Sequence, residues 1–267
     1  MDAHWPLKAC SVVGRWGINS LQHLGAFVLF MLSGFYTISS VNGPGFKIRQ
    51  QIFFIGVKSL PVILLVGLFT GMVLGLQGQY TLSQFGSEGL LGSAVALTLV
   101  RELGPVLTGF MVVGQAGSSM TSEIGIMRNS EQIDAFQTLA INPIGFLVAP
   151  RIFAALICFP FLTAIFDLIG LFGGYLTGIL LMGGDAGSYW YRVDASLAAM
   201  DVVEGFSKSL VFGLLTTSIC CYYGFLVNQS ASTFGSKGVS KVTTAAVVTS
   251  SIVILASDFI ITSLFLT

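Results

Sequence analysis

"NPIGFLVAPRIFAALICFPFLTAIFDLIGLFGGYLTGILLM", residues 142–182, is apolar over nearly its whole length. At 1.5 Å per residue a straight helix of this length would be roughly 60 Å long, about twice the hydrocarbon thickness of a bilayer. Two spans and a turn would need more residues. Pro143, Pro150 and Pro160 fall in its first half, where each removes a helical hydrogen bond and favours a bend. The stretch therefore predicts one span with a kinked extension.

The rest of the chain agrees with a membrane reading. Its 267 residues are 54% hydrophobic and 9% charged, and the mean hydropathy is +0.87. A soluble domain carries about 25% charged residues, so this surface does not face water over most of its area. Further apolar segments at about 52–79, 93–120, 202–227 and 244–266 each reach the length of a span. The predicted fold class is an all-α polytopic membrane protein with five transmembrane helices.

Residues 24–41 nearly reach spanning length, but Lys8 and Arg15 precede them and Lys47 and Arg49 follow. Both flanks favour the cytoplasmic side, so this segment reads as an interfacial or re-entrant helix in the inner leaflet. Residues 1–50 then form an N-terminal cytoplasmic and interfacial segment, and 51–267 the transmembrane domain. Positive charge marks the same side at Lys58, at Arg128 in the 120–141 connection, and at Lys237 and Lys241 in 228–243. The opposite connections hold no Lys or Arg at 80–92 and only Arg192 at 183–201. The N-terminus is expected inside and the C-terminus outside.

Twelve basic and twelve acidic residues leave no basic surface for nucleic acid. Cys10, Cys158, Cys220 and Cys221 lack metal or disulfide spacing, and no cleavable signal peptide is expected. His4 and His23 lie away from the spans, leaving no base for an intramembrane nucleophile; no H-E-x-x-H zinc motif is present. A catalytic site and a metal site are therefore not expected. The "GSKG" at 235–238 lacks the spacing of a phosphate-binding loop, so any ATP hydrolysis belongs to another polypeptide.

Four ionisable residues, Arg101, Glu102, Lys208 and Asp258, fall inside spans at similar depth in the outer half of the bilayer. Buried charges pair or line a wet cavity, so depth and sign predict one cluster in which Glu102 and Asp258 meet Arg101 and Lys208, with Glu204 near its rim. Such a cluster either ties the spans together or takes part in gating and headgroup contact. Asp167 has no assignable partner. Glu123, Arg128, Glu131 and Asp134 sit in a polar stretch between spans, on the cytoplasmic side. Read as one helix, 123–140 sets Ile126, Ile133, Phe136 and Ala140 on one side and Glu123, Glu131, Asp134 and Thr138 on another, with Arg128 able to pair with Glu131. That pattern suits a solvated connector or a contact with an attached motor.

"RELGPVLTGFMVVGQAGSSMTSEIGIMRNSEQIDAFQTLAINPIGFLVAPR" at 101–151 and "GMVLGLQG" at 71–78 resemble the signature regions of the MlaE/YrbE permeases of ABC transporters, and the similarity extends over nearly the whole chain. The resemblance implies a homodimeric permease that works with MCE-domain proteins in moving phospholipids or related lipids between inner and outer membranes, maintaining outer-membrane lipid asymmetry. It implies a coupling helix at about 123–139 seated on a cytoplasmic ABC ATPase, which would bind ATP and Mg. It further implies a periplasmic ring of MCE domains, a small cytoplasmic accessory subunit, and a place in the inner membrane of a bacterium. No cofactor is expected in this chain.

Gly67, Gly71 and Gly75, and Gly170, Gly174 and Gly178, recur every four residues and let helices approach, within one chain or between two. On the resemblance, Leu74, Gln77, Leu82 and Phe85 are expected to line the lipid cavity, their chemistry suiting acyl chains. Tyr189, Trp190 and Tyr191 suit a membrane interface or a periplasmic partner. A different class of function also fits the buried charges: a proton-coupled secondary lipid transporter using Glu102 and Asp258. That class usually carries an inverted repeat, and none is evident.

Overall fold

In a computed structural model, Ile144–Leu181 forms a single helix, as the proline and length argument requires. The model describes residues 21–22, 24–34, 36–37, 45–227 and 235–266. Among these the regular elements are α1 (Leu24–Gly34), α2 (Phe46–Gln84), α3 (Glu88–Asn129), α4 (Gln132–Thr138), α5 (Ile144–Leu181), α6 (Ala186–Ser196), α7 (Ala199–Phe225) and α8 (Gly235–Phe265). Helices α2, α3, α5, α7 and α8 are each long and apolar enough to cross a membrane. The protein is an all-α polytopic membrane protein. His4, Lys8, Cys10, Arg15, His23 and residues 38–41 lie outside the described residues.

The spans are not uniform helices. α2 contains a π-helical turn at Phe53–Val57, α3 at Leu99–Leu103 and Val113–Gly117, and α5 at Ile144–Val148 and Leu176–Leu181. The first turn of α5 is π-helical just ahead of Pro150, and Pro160 lies in the helix interior.

The two glycine ridges meet each other within the chain. A Cβ on Gly71 would stand 1.8 Å from the Gly170 carbonyl oxygen, and one on Gly75 would stand 2.7 Å from that of Gly174. Absence of side chains there lets α2 lie directly on α5, which small-residue interfaces permit in lipid. Thr177 closes the seam by donating its hydroxyl to the Met72 carbonyl at 2.9 Å.

α6 caps the far end. Asp185 accepts from the Ser188 N–H at 2.6 Å to start the helix, and buried Tyr189 donates to the Leu171 carbonyl at 2.9 Å. Burial pushes the Tyr189 phenol pKa up, so the group remains a donor through the physiological range. Tyr189→Phe removes that hydrogen bond and is expected to cost about 1 kcal/mol, read as a lower midpoint of thermal unfolding in detergent.

The described part of α1 is about 16 Å long, against roughly 30 Å of hydrocarbon. Phe27 and Phe30 stack edge-on against Tyr222 at the end of α7, and Gly34 sits against Ile144, Val148 and Ile152 of α5. Leu24, Leu29 and Leu32 stay exposed.

One sequence expectation needs correction here. Residues 123–139 are not a single helix: α3 continues to Asn129, the chain turns at Ser130 and Glu131, and α4 begins at Gln132. Glu131 adopts the left-handed conformation with φ 59°, and Ala140 with φ 56° follows α4. The turn lets α4 fold back so that Ile133 joins Ile124, Leu147, Val148, Ile152 and Cys221 in a buried cluster, with Phe136 against it. Burying those side chains outweighs the cost of two unfavourable backbone conformations, of order 1–3 kcal/mol each.

Candidate functional site

The ionisable residues of the spans converge on Lys208, whose side chain is 0% exposed. Its ammonium lies 2.9 Å from Glu102, 3.1 Å from Glu204 and 3.3 Å from Asp258. It also donates to the carbonyl of Arg101 at 2.7 Å. That acceptor follows from local sequence: Pro105, four residues on, has no N–H to offer the Arg101 carbonyl. Thr262 of α8 donates to Glu102 at 3.1 Å. Three helices, α3, α7 and α8, are thus joined at one point inside the membrane.

Arg101 departs from the expected grouping. Its guanidinium turns away from Glu102 and Asp258 and binds Asp201, with Nε donating at 2.8 Å. Adjacent residues on a helix point about 100° apart, so Arg101 and Glu102 do not share one partner face. Asp201 is nearly buried and also accepts from the Ala198 N–H at 2.9 Å, fixing the start of α7. Sequence reading placed Asp201 just outside the predicted span and so did not single it out. Glu204, expected at the rim, lies at the centre, four residues from Lys208 on the same helical face.

Lys208 therefore faces three carboxylates, and the second cation of the region is occupied by a fourth. Glu102 keeps 39% of its side chain exposed while Lys208 has none. The cluster couples a buried cation to a carboxylate that still reaches the surface of the chain. It can hold helices together, exchange a proton, or offer negative charge to a cationic group.

At the α4 end, Arg128 pairs with Asp134 at 2.5 Å rather than with Glu131, because the left-handed turn takes Glu131 out of helical register. Glu123 pairs at 2.7 Å with Arg151, a buried residue that the sequence reading did not single out. Glu131 and Asp134 remain on the exposed side of the turn. Leu74 and Leu82 are half-buried against the main core, whereas Gln77 is exposed and Phe85 is 75% exposed. None of the four lines the cavity of about 160 Å³ between α2, α3 and α6, which is bordered by Gln79, Glu88, Asp185 and Tyr189. Asp167 contacts Gly104 closely, and its Oδ1 is buried without a hydrogen-bond partner.

Five apolar spans, a charge cluster between three of them and a polar turn at one end define a polytopic membrane protein with ionisable groups within its spans. The Permease MlaE family model matches residues 48–264, and the chain belongs to that family. It is 42% identical over 262 residues to a probable ABC transporter permease protein of Rickettsia prowazekii, covering 97% of this chain and 98% of that one. It is also 42% identical over 216 residues to the intermembrane phospholipid transport system permease protein MlaE of Haemophilus influenzae, covering 80% and 81%. The chloroplastic protein trigalactosyldiacylglycerol 1 of Arabidopsis thaliana is 35% identical over 216 residues, covering 81% of this chain and 60% of that protein.

Proposed function

We propose that this chain is the membrane subunit of an ABC transporter that moves phospholipids between the inner and outer membranes of a bacterium. In this reading two copies form the permease, with their N-termini in the cytoplasm and C-termini in the periplasm. The chain itself is non-catalytic. A cytoplasmic ABC ATPase binds ATP and Mg and docks on the turn and α4, where Glu131 and Asp134 offer negative charge to a basic surface. A periplasmic ring of MCE domains receives or delivers the lipid, and a small accessory subunit binds on the cytoplasmic side. The observation that carries the reading is the near full-length similarity to named permeases, among them a phospholipid permease.

The test is co-purification from native membranes at equal expression. An ATPase, an MCE-domain protein and phospholipid are expected with the wild type. The Glu131→Lys/Asp134→Lys double variant is expected to lose the ATPase at least tenfold while keeping phospholipid. Equal ATPase recovery with both proteins would sink the docking assignment.

The surplus of carboxylates around Lys208 favours one alternative, a proton-coupled lipid transporter in which Glu102 and Asp258 take up protons. It requires lipid movement in vesicles holding this chain alone, collapsing when the proton gradient is dissipated. Movement that appears only with ATP and a second subunit rejects it.

A further inference from the structure

A second polar cavity lies at the α4 end of the bundle. It has a volume of about 150 Å³, and its lining includes Lys47, Gln50 and Gln51 of α2, Glu123 of α3, and Phe146 and Arg151 of α5. The Arg151 side chain is only 2% exposed. One terminal nitrogen serves Glu123 at 2.7 Å and the other the Leu147 carbonyl at 3.3 Å, but Nε is buried with no partner. Gln51 Oε1 is buried without a partner as well. A donor and an acceptor left unpaired around one cavity are costly, at roughly 1–3 kcal/mol each, and folded proteins seldom keep them without a ligand or ordered water.

The electrostatics favour an anion. Two cations border the cavity against one carboxylate, and the Lys47 ammonium stands over the Phe146 ring at 2.7 Å from its centroid. The surroundings are apolar. Phe53 and Val57, three and seven residues beyond Gln50 on α2, are exposed. Exposed Leu24, Leu29 and Leu32 of α1 belong to the helix that lies along the neighbouring start of α5. A polar cavity that opens beside an exposed apolar stripe has the chemistry of a headgroup site with a track for an acyl chain.

We propose that this cavity binds the phosphodiester headgroup of a membrane phospholipid, with Lys47 and Arg151 holding phosphate oxygens and Gln51 accepting from a headgroup hydroxyl or ammonium. The site is separate from the Lys208 cluster and needs only that the chain lies in a bilayer. It therefore stands or falls independently of the transport direction and of the ATPase. Free phosphate shares the anionic chemistry but has nothing to place along Phe53 and Val57.

The test uses the purified full chain in detergent, titrated with dihexanoyl phosphatidylglycerol and followed by native mass spectrometry. Parallel titrations use inorganic phosphate and dihexanoylglycerol, which lacks the phosphate. Lys47→Gln is expected to raise the concentration at which the first lipid adduct half-forms by roughly tenfold, the weight of one charge-assisted hydrogen bond. Lys58→Gln removes a cation on the same helix outside the cavity lining and is expected to change nothing. Phosphate and dihexanoylglycerol are both expected to bind at least tenfold more weakly than the phospholipid. Unchanged binding by Lys47→Gln overturns the site. Equal binding of inorganic phosphate overturns the lipid assignment, and equal binding of dihexanoylglycerol overturns the headgroup role.

Discussion

Lys208→Met is expected to destabilise the protein by about 3–5 kcal/mol, because it leaves Glu204 and Asp258 inside the bundle without their cation. Methionine matches the length of the lysine stem, so the loss reads the charge rather than a cavity. The measurement is thermal unfolding in detergent together with yield from membranes. Adding Glu204→Gln to Lys208→Met removes one stranded carboxylate and is expected to recover part of the loss. Glu102→Gln provides the functional contrast. Glu102 is partly exposed, and its removal leaves Lys208 with Glu204 and Asp258, so a folded protein with altered lipid transport is expected. If Lys208→Met unfolds with the wild type, the cluster does not carry stability; if Glu102→Gln transports at the wild-type rate, its exposed carboxylate has no part in transport.

Gly71→Val is expected to separate α2 from α5. Its Cβ would fall 1.8 Å from the Gly170 carbonyl oxygen and 2.7 Å from the Gly170 Cα, both backbone atoms that no rotamer change relieves. Overpacking of a close interface costs about 1–3 kcal/mol or more, and here it also opens the Thr177–Met72 hydrogen bond. The same unfolding assay reads the result. Gly114→Ala supplies the comparison, since a Cβ at that position meets nothing within 4 Å. Its effect is expected to be neutral to slightly stabilising, because alanine is the better helix former by up to about 1 kcal/mol. A Gly71→Val protein as stable as Gly114→Ala would mean that α2 and α5 do not lie in contact along the glycine seam.

Much of the architecture is legible in the sequence. The spans emerge because hydrocarbon thickness converts directly into a length of apolar sequence, and prolines at 143, 150 and 160 allowed residues 142–182 to be read as one helix. The grouping of Glu102, Lys208 and Asp258 follows from depth and sign, two quantities that a sequence with known spans supplies. Residues 123–140 suggest one helix because their polar and apolar residues fit a helical period on either side of residue 130. That period does not register a left-handed turn at Glu131, which arises when Ile133 and Phe136 are drawn into a cluster built by other helices.

By itself, then, the sequence determined an all-α membrane protein with five spans and charges gathered at one depth. These properties depend on local hydrophobicity and on the cost of isolated charge in lipid. Tertiary structure alone decided which charge meets which: Arg101 with Asp201, Glu123 with Arg151, and Arg128 with Asp134. It also decided that the glycine ridges face each other. Those choices turn on the rotation of each helix about its axis, where one residue is worth about 100°, and only packing against neighbouring helices sets that angle.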